Sequence, residues 1–229
     1  MTKMKVLIRA DTVEIEGYVN AVGRDSRTLT DEYGYPFVEQ MSPGVFAKAL
    51  SQAEKSERVI NMLLDHDDGH VIGSTADGLE LEEDSIGLHA RAVVSDPETV
   101  QAAREKRLSG WSFGFRGLDY RESYSEGVSR RTVTELELIE VSVIDDRMIP
   151  AYAGTSIHAR AEEGDEKIYT RAFETEVEYL EEEKPKVRTM EEPKEEAKDP
   201  EPKQADERAN EDSWSHSYYQ NQIEMLKLG

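Results

Sequence analysis

Short runs that alternate apolar and polar residues recur through the chain and predict β-strands. Residues 13–19 alternate in this way, and a turn at Ala10 and Asp11 separates them from the apolar run at 6–8. The longest such run, residues 131–144, is rich in valine, threonine and isoleucine, which favour extended backbone. Many short strands with few helices predict a mainly β or α+β fold, which we expect to be a compact β-barrel flanked by a few helices.

Two segments carry the signals of a helix start. Ser42 at a capping position and Pro43 in the first turn predict a short helix that runs through Leu50. Residues 95–98, Ser-Asp-Pro-Glu, combine a cap, an early proline and an acidic first turn. They predict a second helix to about Leu108, just before the helix-stopping glycine of the next segment.

The pattern changes beyond residue 160, and the chain divides there into three parts. We expect a folded domain over 1–160, a linker over 161–212 and a short aromatic and apolar segment over 213–229. The linker has 20 acidic and 9 basic residues with few apolar ones, so we expect it to be disordered, with a transient helix over 169–183. The last segment is typical of a docking peptide, and an unstructured terminus with chance aromatics is the alternative.

Composition narrows the classes of function. The net charge of −21 disfavours binding to nucleic acid or to an anionic membrane. The absence of cysteine excludes disulfides, thiolate metal sites and cysteine nucleophiles. The apolar run at the start is too short for a secretory signal, and no stretch approaches the ~18 apolar residues of a membrane span. We therefore expect a soluble protein that is not secreted, with no cofactor.

Ser112 is the first candidate for chemistry. Residues 110–114, Gly-Trp-Ser-Phe-Gly, match the Gly-x-Ser-x-Gly pattern of the α/β-hydrolases. The context differs from that fold, because the motif follows a predicted helix and does not open one. A strand serine between two glycines that relieve crowding is the alternative interpretation.

His66 is the candidate base that a serine nucleophile needs. It ends the apolar run 58–64, where a strand delivers a side chain to the rim of a sheet. The acidic neighbours Asp65, Asp67 and Asp68 favour an imidazolium. One alternative is a plain surface loop. Another is a metal site in the segment Asp65–His70, whose potential ligands, with His89, are Asp65, His66, Asp68 and His70.

Glu140 is the candidate acid. Simple alternation along 131–144 puts Glu140 on one face with Leu136, Leu138 and Ile144, in mainly apolar company. A buried carboxylate needs a partner, and a histidine would serve because the acid fixes its tautomer and stabilises its charged form. The alternative is a salt bridge to an arginine, such as Arg131 or Arg147.

Taken together, these segments resemble the prohead protease family of tailed bacteriophages. The matching stretches fall in order over about residues 10–155: Pro-Gly-Val-Phe at 43–46, Leu-Asp-His-Asp at 64–67, Ile-Gly-Ser at 72–74, Gly-Leu at 87–88, Trp-Ser-Phe-Gly-Phe at 111–115, Leu-Ile-Glu-Val-Ser-Val at 138–143 and Pro-Ala at 150–151. The resemblance implies a serine endopeptidase with Ser112 as nucleophile and His66 as base.

This family is also similar to the herpesvirus assemblins, which implies an assemblin-like β-barrel ringed by helices. In the assemblins the third member of the site is a histidine on a strand after the serine. Glu140 stands in the corresponding place here, so the resemblance implies a Ser-His-Glu site. By the same analogy Arg147 would help to position the oxyanion donors, although a backbone amide near Ser112 is the stronger candidate.

The resemblance also implies a role in capsid maturation. The protease would be packed in the procapsid, in the host cytoplasm, where it would cleave the major capsid protein or scaffold and itself. The acidic linker would then be a disposable tether. A homo-oligomer is left open. Two other classes stay open from the residues alone: a non-enzymatic assembly or scaffolding protein, and a metal-dependent hydrolase that uses the Asp65–His70 cluster.

Overall fold

The protein is mostly β-structure. The computed structural model describes residues 3–31, 33–146, 160–161 and 167–182. Two helices lie among its strands, α1 (Val45–Lys55) and α2 (Pro97–Arg104). The strands in chain order are β1 (Lys3–Ile8), β2 (Val13–Ala21), β3 (Leu29–Thr30), β4 (Pro36–Met41), β5 (Asn61–Leu64), β6 (Val71–Ser74), β7 (Glu80–Glu83), β8 (Gly87–Val94), β9 (Leu108–Ser125), β10 (Val128–Asp145), β11 (Arg160–Ala161), β12 (Lys167–Glu174) and β13 (Glu176–Glu181).

The first sheet has five strands in the order β13-β1-β2-β8-β7. The alternation that predicted β1 and β2 is seen in the burial of β2, where every second residue from Val13 to Ala21 is buried. The pairs β1–β2, β2–β8 and β7–β8 are antiparallel, and β13 adds to β1 in parallel. One face of this sheet therefore supplies a continuous apolar surface to the core.

The second sheet has eight strands and follows the path β11-β12-β9-β10-β4-β3, with β5 and β6 attached to β10. Its centre is the long hairpin of β9 and β10. Among the described strands neither sheet closes on itself, because each path ends in strands paired on one side only. The predicted closed barrel is therefore wrong, while the prediction of a mainly β fold with few helices is confirmed.

The two helices lie where the sequence placed them, but with different ends. Asp96, in the predicted capping segment 95–98, caps α2 by accepting a 2.7 Å hydrogen bond from the Thr99 amide. The helix ends at Arg104, so Leu108 already belongs to β9. At α1 the cap residue is Gly44, which has no side chain that could accept a hydrogen bond. Glu83 of β7 accepts hydrogen bonds from the Gly44 and Ala47 amides instead.

One apolar core fills the space between the sheets and the helices. The aromatic residues of β9 lie at its centre: Trp111, Phe113 and Phe115 are almost fully buried, and Phe113 meets Phe46 of α1 edge to face at 5.4 Å. Burial of side chains of this size is the main favourable contribution to folding. No helix in the described part of the chain has the length and apolar character that crossing a membrane requires.

The folded unit extends beyond the predicted boundary at residue 160. Strands β12 and β13 lie within the stretch that the sequence assigned to a disordered linker, and the compact unit runs from Met1 to Lys184. The transient helix expected over 169–183 is therefore wrong, because the described residues of this range, 169–182, lie mostly in β12 and β13, which pair with β9 and β1. The rest of the predicted linker and the docking segment at 213–229 lie outside the described residues.

Candidate active site

Ser112 lies in the middle of β9, in a buried part of the second sheet. It pairs with Ser142 of β10 on one side and with Ala172 of β12 on the other. Because side chains alternate along a strand, Ser112 points away from its neighbours Trp111 and Phe113, which enter the core. The serine is only 1% exposed, so it lies on a second buried face of the sheet, which we call the site face.

His66 lies on a tight turn directly after β5. Asp65 and His66 both have positive φ values, 56° and 59°, a conformation that costs a residue other than glycine about 1–3 kcal/mol. Asp65 holds the start of the turn through two bonds: its amide donates to the Val143 carbonyl at 2.9 Å, and its carboxylate accepts from the Asp145 amide at 2.7 Å. These bonds tie the turn to β10 and direct the imidazole over the site face.

Glu140 lies on the site face because of a β-bulge in β10. Leu138 pairs with Phe115 of β9, but Glu140 pairs with Gly114, so Ile139 is an extra residue on β10. Cross-strand partners share a face, and therefore Leu138 faces the core while Glu140 faces the same side as Ser112. The prediction that Glu140 shares a face with Leu136 and Leu138 is wrong, since simple alternation does not survive the extra residue.

The structure brings the three predicted residues together. The His66 Nε2 atom lies 2.7 Å from Ser112 Oγ, and His66 Nδ1 lies 2.7 Å from Glu140 Oε1. An ionised carboxylate can only accept, so Nδ1 carries the proton and donates to Glu140. In the neutral imidazole Nε2 is then the acceptor, and the Ser112 hydroxyl donates to it. This is the tautomer in which a histidine can take a proton from serine.

A fourth residue, Ser142, contacts both Glu140 and His66 and was not identified as a site residue from the sequence. Its hydroxyl donates to Glu140 Oε2 at 2.6 Å, and its Oγ lies 3.3 Å from His66 Nδ1. Ser142 is fully buried and Glu140 is 7% exposed, so the two carboxylate oxygens each have a donor in place of water. The signal was the spacing: a residue two positions after Glu140 on a strand shares its face.

Gly114 leaves room for the carboxylate. A Cβ atom at this position would lie 2.6 Å from Glu140 Oε1, well inside contact distance. The second glycine of the Gly-x-Ser-x-Gly match therefore has a steric role next to the acid. It does not form the strand-to-helix turn of the α/β-hydrolases, because β9 continues as a strand on both sides.

The other histidines of the described chain have separate partners. His70 Nε2 lies 3.1 Å from Asp96 Oδ1 at the cap of α2, and hydrogen bonding to Asp96 raises the pKa of His70 above its usual value. His89 faces Glu16 on the neighbouring strand. Within the described residues no three acidic or histidine side chains are grouped so that they could hold a metal ion. The arrangement therefore does not support the proposed metal cluster at Asp65–His70.

The structure also does not support Arg131 as an alternative partner of Glu140. The Arg131 guanidinium lies over the rings of Phe37 and Tyr120, 4.6 and 4.8 Å from their centres, and pairs with Glu122. It is not a partner of Glu140. Arg147, the other candidate partner and the suggested oxyanion residue, lies outside the described residues.

This geometry suits one kind of chemistry. A buried hydroxyl shares its proton with an imidazole, and a buried carboxylate stabilises the charge that the imidazole gains. Proton transfer of this kind activates serine for attack on a carbonyl carbon.

Comparison with known proteins places the chain in a family. A family model described as caudovirus prohead serine protease matches residues 2–168. A comparison with curated proteins found no match, and a comparison with solved structures found none either. The matched region contains every residue of the site described above and covers well over half of the chain. The chain therefore belongs to the caudovirus prohead serine protease family.

Proposed function

We propose that Ser112, His66 and Glu140 are the nucleophile, the general base and the orienting acid of this serine protease. The observation that carries the proposal is the pair of 2.7 Å contacts that link the serine to the imidazole and the imidazole to the carboxylate. These three residues come from β9, the turn after β5, and β10. Their contact on one buried face depends on two unusual backbone features, the positive-φ turn at Asp65 and His66 and the bulge at Ile139.

The reaction follows from the proton positions. As Ser112 Oγ attacks the carbonyl carbon of the scissile peptide bond, its proton moves to His66 Nε2 and the carbonyl oxygen becomes an oxyanion. The imidazolium is stabilised by Glu140, and its Nε2 proton then goes to the leaving amine as the C–N bond breaks. Water then attacks the resulting ester and gives a proton to His66 Nε2. His66 passes a proton to Ser112 Oγ as the ester bond breaks, which frees Ser112. A backbone amide near Ser112 would bind the oxyanion.

The substrates follow from the family. Membership in it supports a role in capsid maturation, and we infer that the enzyme cleaves the major capsid protein, scaffold segments or both, and its own chain. We place this activity inside the procapsid, in the host cytoplasm. Family membership also overturns the alternative of a non-enzymatic scaffolding protein, since the family is one of serine peptidases.

Co-expression with a candidate capsid protein tests the assignment of the nucleophile. We expect wild-type protease to shorten the capsid chain and Ser112→Ala to leave it intact, as read by intact-mass measurement of both chains. Ser109→Ala is the matched control, because Ser109 lies on the same strand and its hydroxyl donates to the Ile144 carbonyl, away from His66. Cleavage at the wild-type rate by Ser112→Ala would overturn the assignment.

The acidic part of the chain after the folded unit is proposed to act as a tether that retains the enzyme during assembly. The structure changes the truncation that tests this idea, since β12 and β13 belong to the folded unit that ends at Lys184. We expect a chain ending at Lys184 to cleave capsid protein in solution but to be lost from particles. Normal incorporation of that truncated chain into procapsids would refute the tether.

A further inference from the structure

Arg58 lies outside the three-residue site, but it contacts the bulge that places Glu140. Its Nη1 donates to the Leu138 carbonyl at 2.6 Å, across 80 positions of sequence. Leu138 is the last residue of β10 before the extra residue Ile139. A long-range hydrogen bond therefore ends on the one backbone segment whose shape decides which way Glu140 points.

The position of the Leu138 carbonyl explains why its hydrogen-bond donor is a side chain. On the edge of β10 away from β9, β4 pairs with residues 130–133 and β5 pairs with 140–143. Residues 134–139 of that edge face no strand in the described part of the sheet. A buried carbonyl without a partner costs about 1–3 kcal/mol, and the Arg58 guanidinium supplies the donor that a strand would otherwise give.

The guanidinium is itself held in place. Arg58 Nε lies 3.4 Å from Glu137 Oε1, and the other oxygen of Glu137 lies 3.1 Å from Arg116 Nη1 of β9. The Glu137 carboxylate thus joins an arginine on each side, directly before the bulge. The planar fork of Arg58 reaches a carbonyl and a carboxylate at once, which the single ammonium of a lysine cannot reproduce.

Arg58 also lies at the start of the segment that carries the base. It is three residues before Asn61, the β5 residue that pairs with Glu140 in the parallel ladder. The same short strand ends at Leu64 and leads into the turn that holds His66. One side chain therefore connects the entry of the strand that delivers the imidazole to the bulge that delivers the carboxylate.

From these contacts we infer that Arg58 is a positioning residue, which fixes the bulge at Ile139 and so aligns Glu140 with His66. This inference rests on the proposed roles of His66 and Glu140. Misplacement of a catalytic group by about 1 Å costs up to about 100-fold in rate, because the productive geometry is rarely reached. The effect should fall on kcat, since Arg58 contacts Leu138 and Glu137 and acts through the alignment of Glu140 with His66.

The test compares Arg58→Ala with Arg130→Ala. Both arginine side chains are 29% exposed and both pair with a carboxylate, but Arg130 pairs with Asp25 far from the bulge. We expect Arg58→Ala to lower kcat for capsid-protein cleavage about 10- to 50-fold with little change in KM. Arg58→Lys should lose less, and millimolar guanidinium should restore part of the Arg58→Ala activity. Arg130→Ala should cleave at the wild-type rate.

A second readout does not depend on cleavage. In a Ser112→Ala background, the His66 Nδ1 proton bonded to Glu140 should give a downfield proton resonance that Arg58→Ala weakens and Arg130→Ala leaves unchanged. If wild type cleaves nothing, the proposed function fails while this resonance still tests Arg58. If Arg58→Ala keeps both the wild-type rate and the resonance, or loses stability alone without rescue by guanidinium, Arg58 is not a positioning residue.

Discussion

The two halves of the β9–β10 hairpin differ, although the same two strands form both. In the inner half, residues 108–116 pair with 137–145, and both faces of the sheet are buried. In the outer half the pairing is continuous from Val128 opposite Ser125 to Val133 opposite Tyr120, and the side chains are largely in solvent. Tyr124, for example, is 77% exposed. The inner half has the bulge at Ile139 and the site residues Ser112, Glu140 and Ser142.

The difference between the two halves shows that a regular strand alone does not form a buried polar site. Perfect alternation gives one set of residues to the core and the other to solvent, as in β2. A polar site that is also buried requires a second covered face and a carboxylate turned toward it, and the bulge provides that turn without breaking the strand. Substitutions in the inner half should therefore change catalysis, whereas matched substitutions in the outer half should not.

The largest effect in this comparison is expected for Glu140→Gln. The amide keeps the shape but can present an N–H to His66 Nδ1, which favours the tautomer that cannot accept the serine proton. We expect kcat to fall by about 10³- to 10⁴-fold with little change in stability. Steady-state cleavage assays measure the loss. The control is Glu135→Gln, on the same strand but outside the inner half, and an equal loss there would mean that the effect is not specific to the inner half.

Gly114→Ala against Gly117→Ala is the next sharpest comparison. The new methyl group at 114 would lie 2.6 Å from Glu140 Oε1, whereas the nearest atom at 117 is a Phe115 ring carbon at 3.9 Å. We expect the first change to lower kcat about 10- to 100-fold by displacing the carboxylate, and the second to leave it unchanged. Kinetics together with thermal unfolding separate the two. Similar losses in both variants would mean that any bulk on β9 is harmful.

Ser142→Ala should have a smaller effect. It removes the donor to Glu140 Oε2 but leaves the bond to His66 intact, so the carboxylate keeps one of its two anchors. We expect a loss of about 5- to 20-fold in kcat/KM, which is about 1–2 kcal/mol. This is near the lower end of the cost of one bond to a charged group, because His66 still holds the carboxylate. Ser142→Thr should retain most of the activity. A wild-type rate for Ser142→Ala would show that His66 alone positions the acid.

The smallest effect is expected in the outer half, for Asp25→Asn. Hydrogen bonding to Arg130 lowers the pKa of Asp25 below its usual value, so the pair contributes stability above that value and loses it as the pH falls. Thermal unfolding should show a slight destabilisation at neutral pH, which persists to about pH 4 and shrinks below it. Cleavage should be unchanged. A difference in stability that grows toward low pH would contradict this.

Parts of the fold could be predicted because local signals and tertiary structure agree there. The alternation of residues 13–19 matches a strand with one buried face, and Asp96 caps the helix that begins at Pro97. Ser112 and His66 were also candidates from local context, and Glu140 was a candidate from an alternation that the bulge overturns. The structure places all three in contact. Their catalytic roles stay a proposal that the substitutions above test.

The failures have physical reasons. Nothing in the composition of residues 137–141 announces a bulge, because its partner is a carbonyl-binding arginine 80 positions away. Strands β12 and β13 look like linker because they lie in a highly charged, mainly acidic stretch, yet each pairs along an edge of an existing strand. The buried ion pair between Arg171 and Glu39, 2.6 Å apart, joins two such remote segments. Closure of a barrel likewise depends on pairings that a single sequence does not display.

The joint between β12 and β13 limits how the enzyme can be shortened. A single residue, Thr175, separates a strand that covers an edge of β9 from a strand that covers an edge of β1. Loss of the chain from Lys167 onward would uncover both edges at once, and bare strand edges invite aggregation between molecules. A shortened form of this chain should therefore stay soluble and active only when it ends past Glu181.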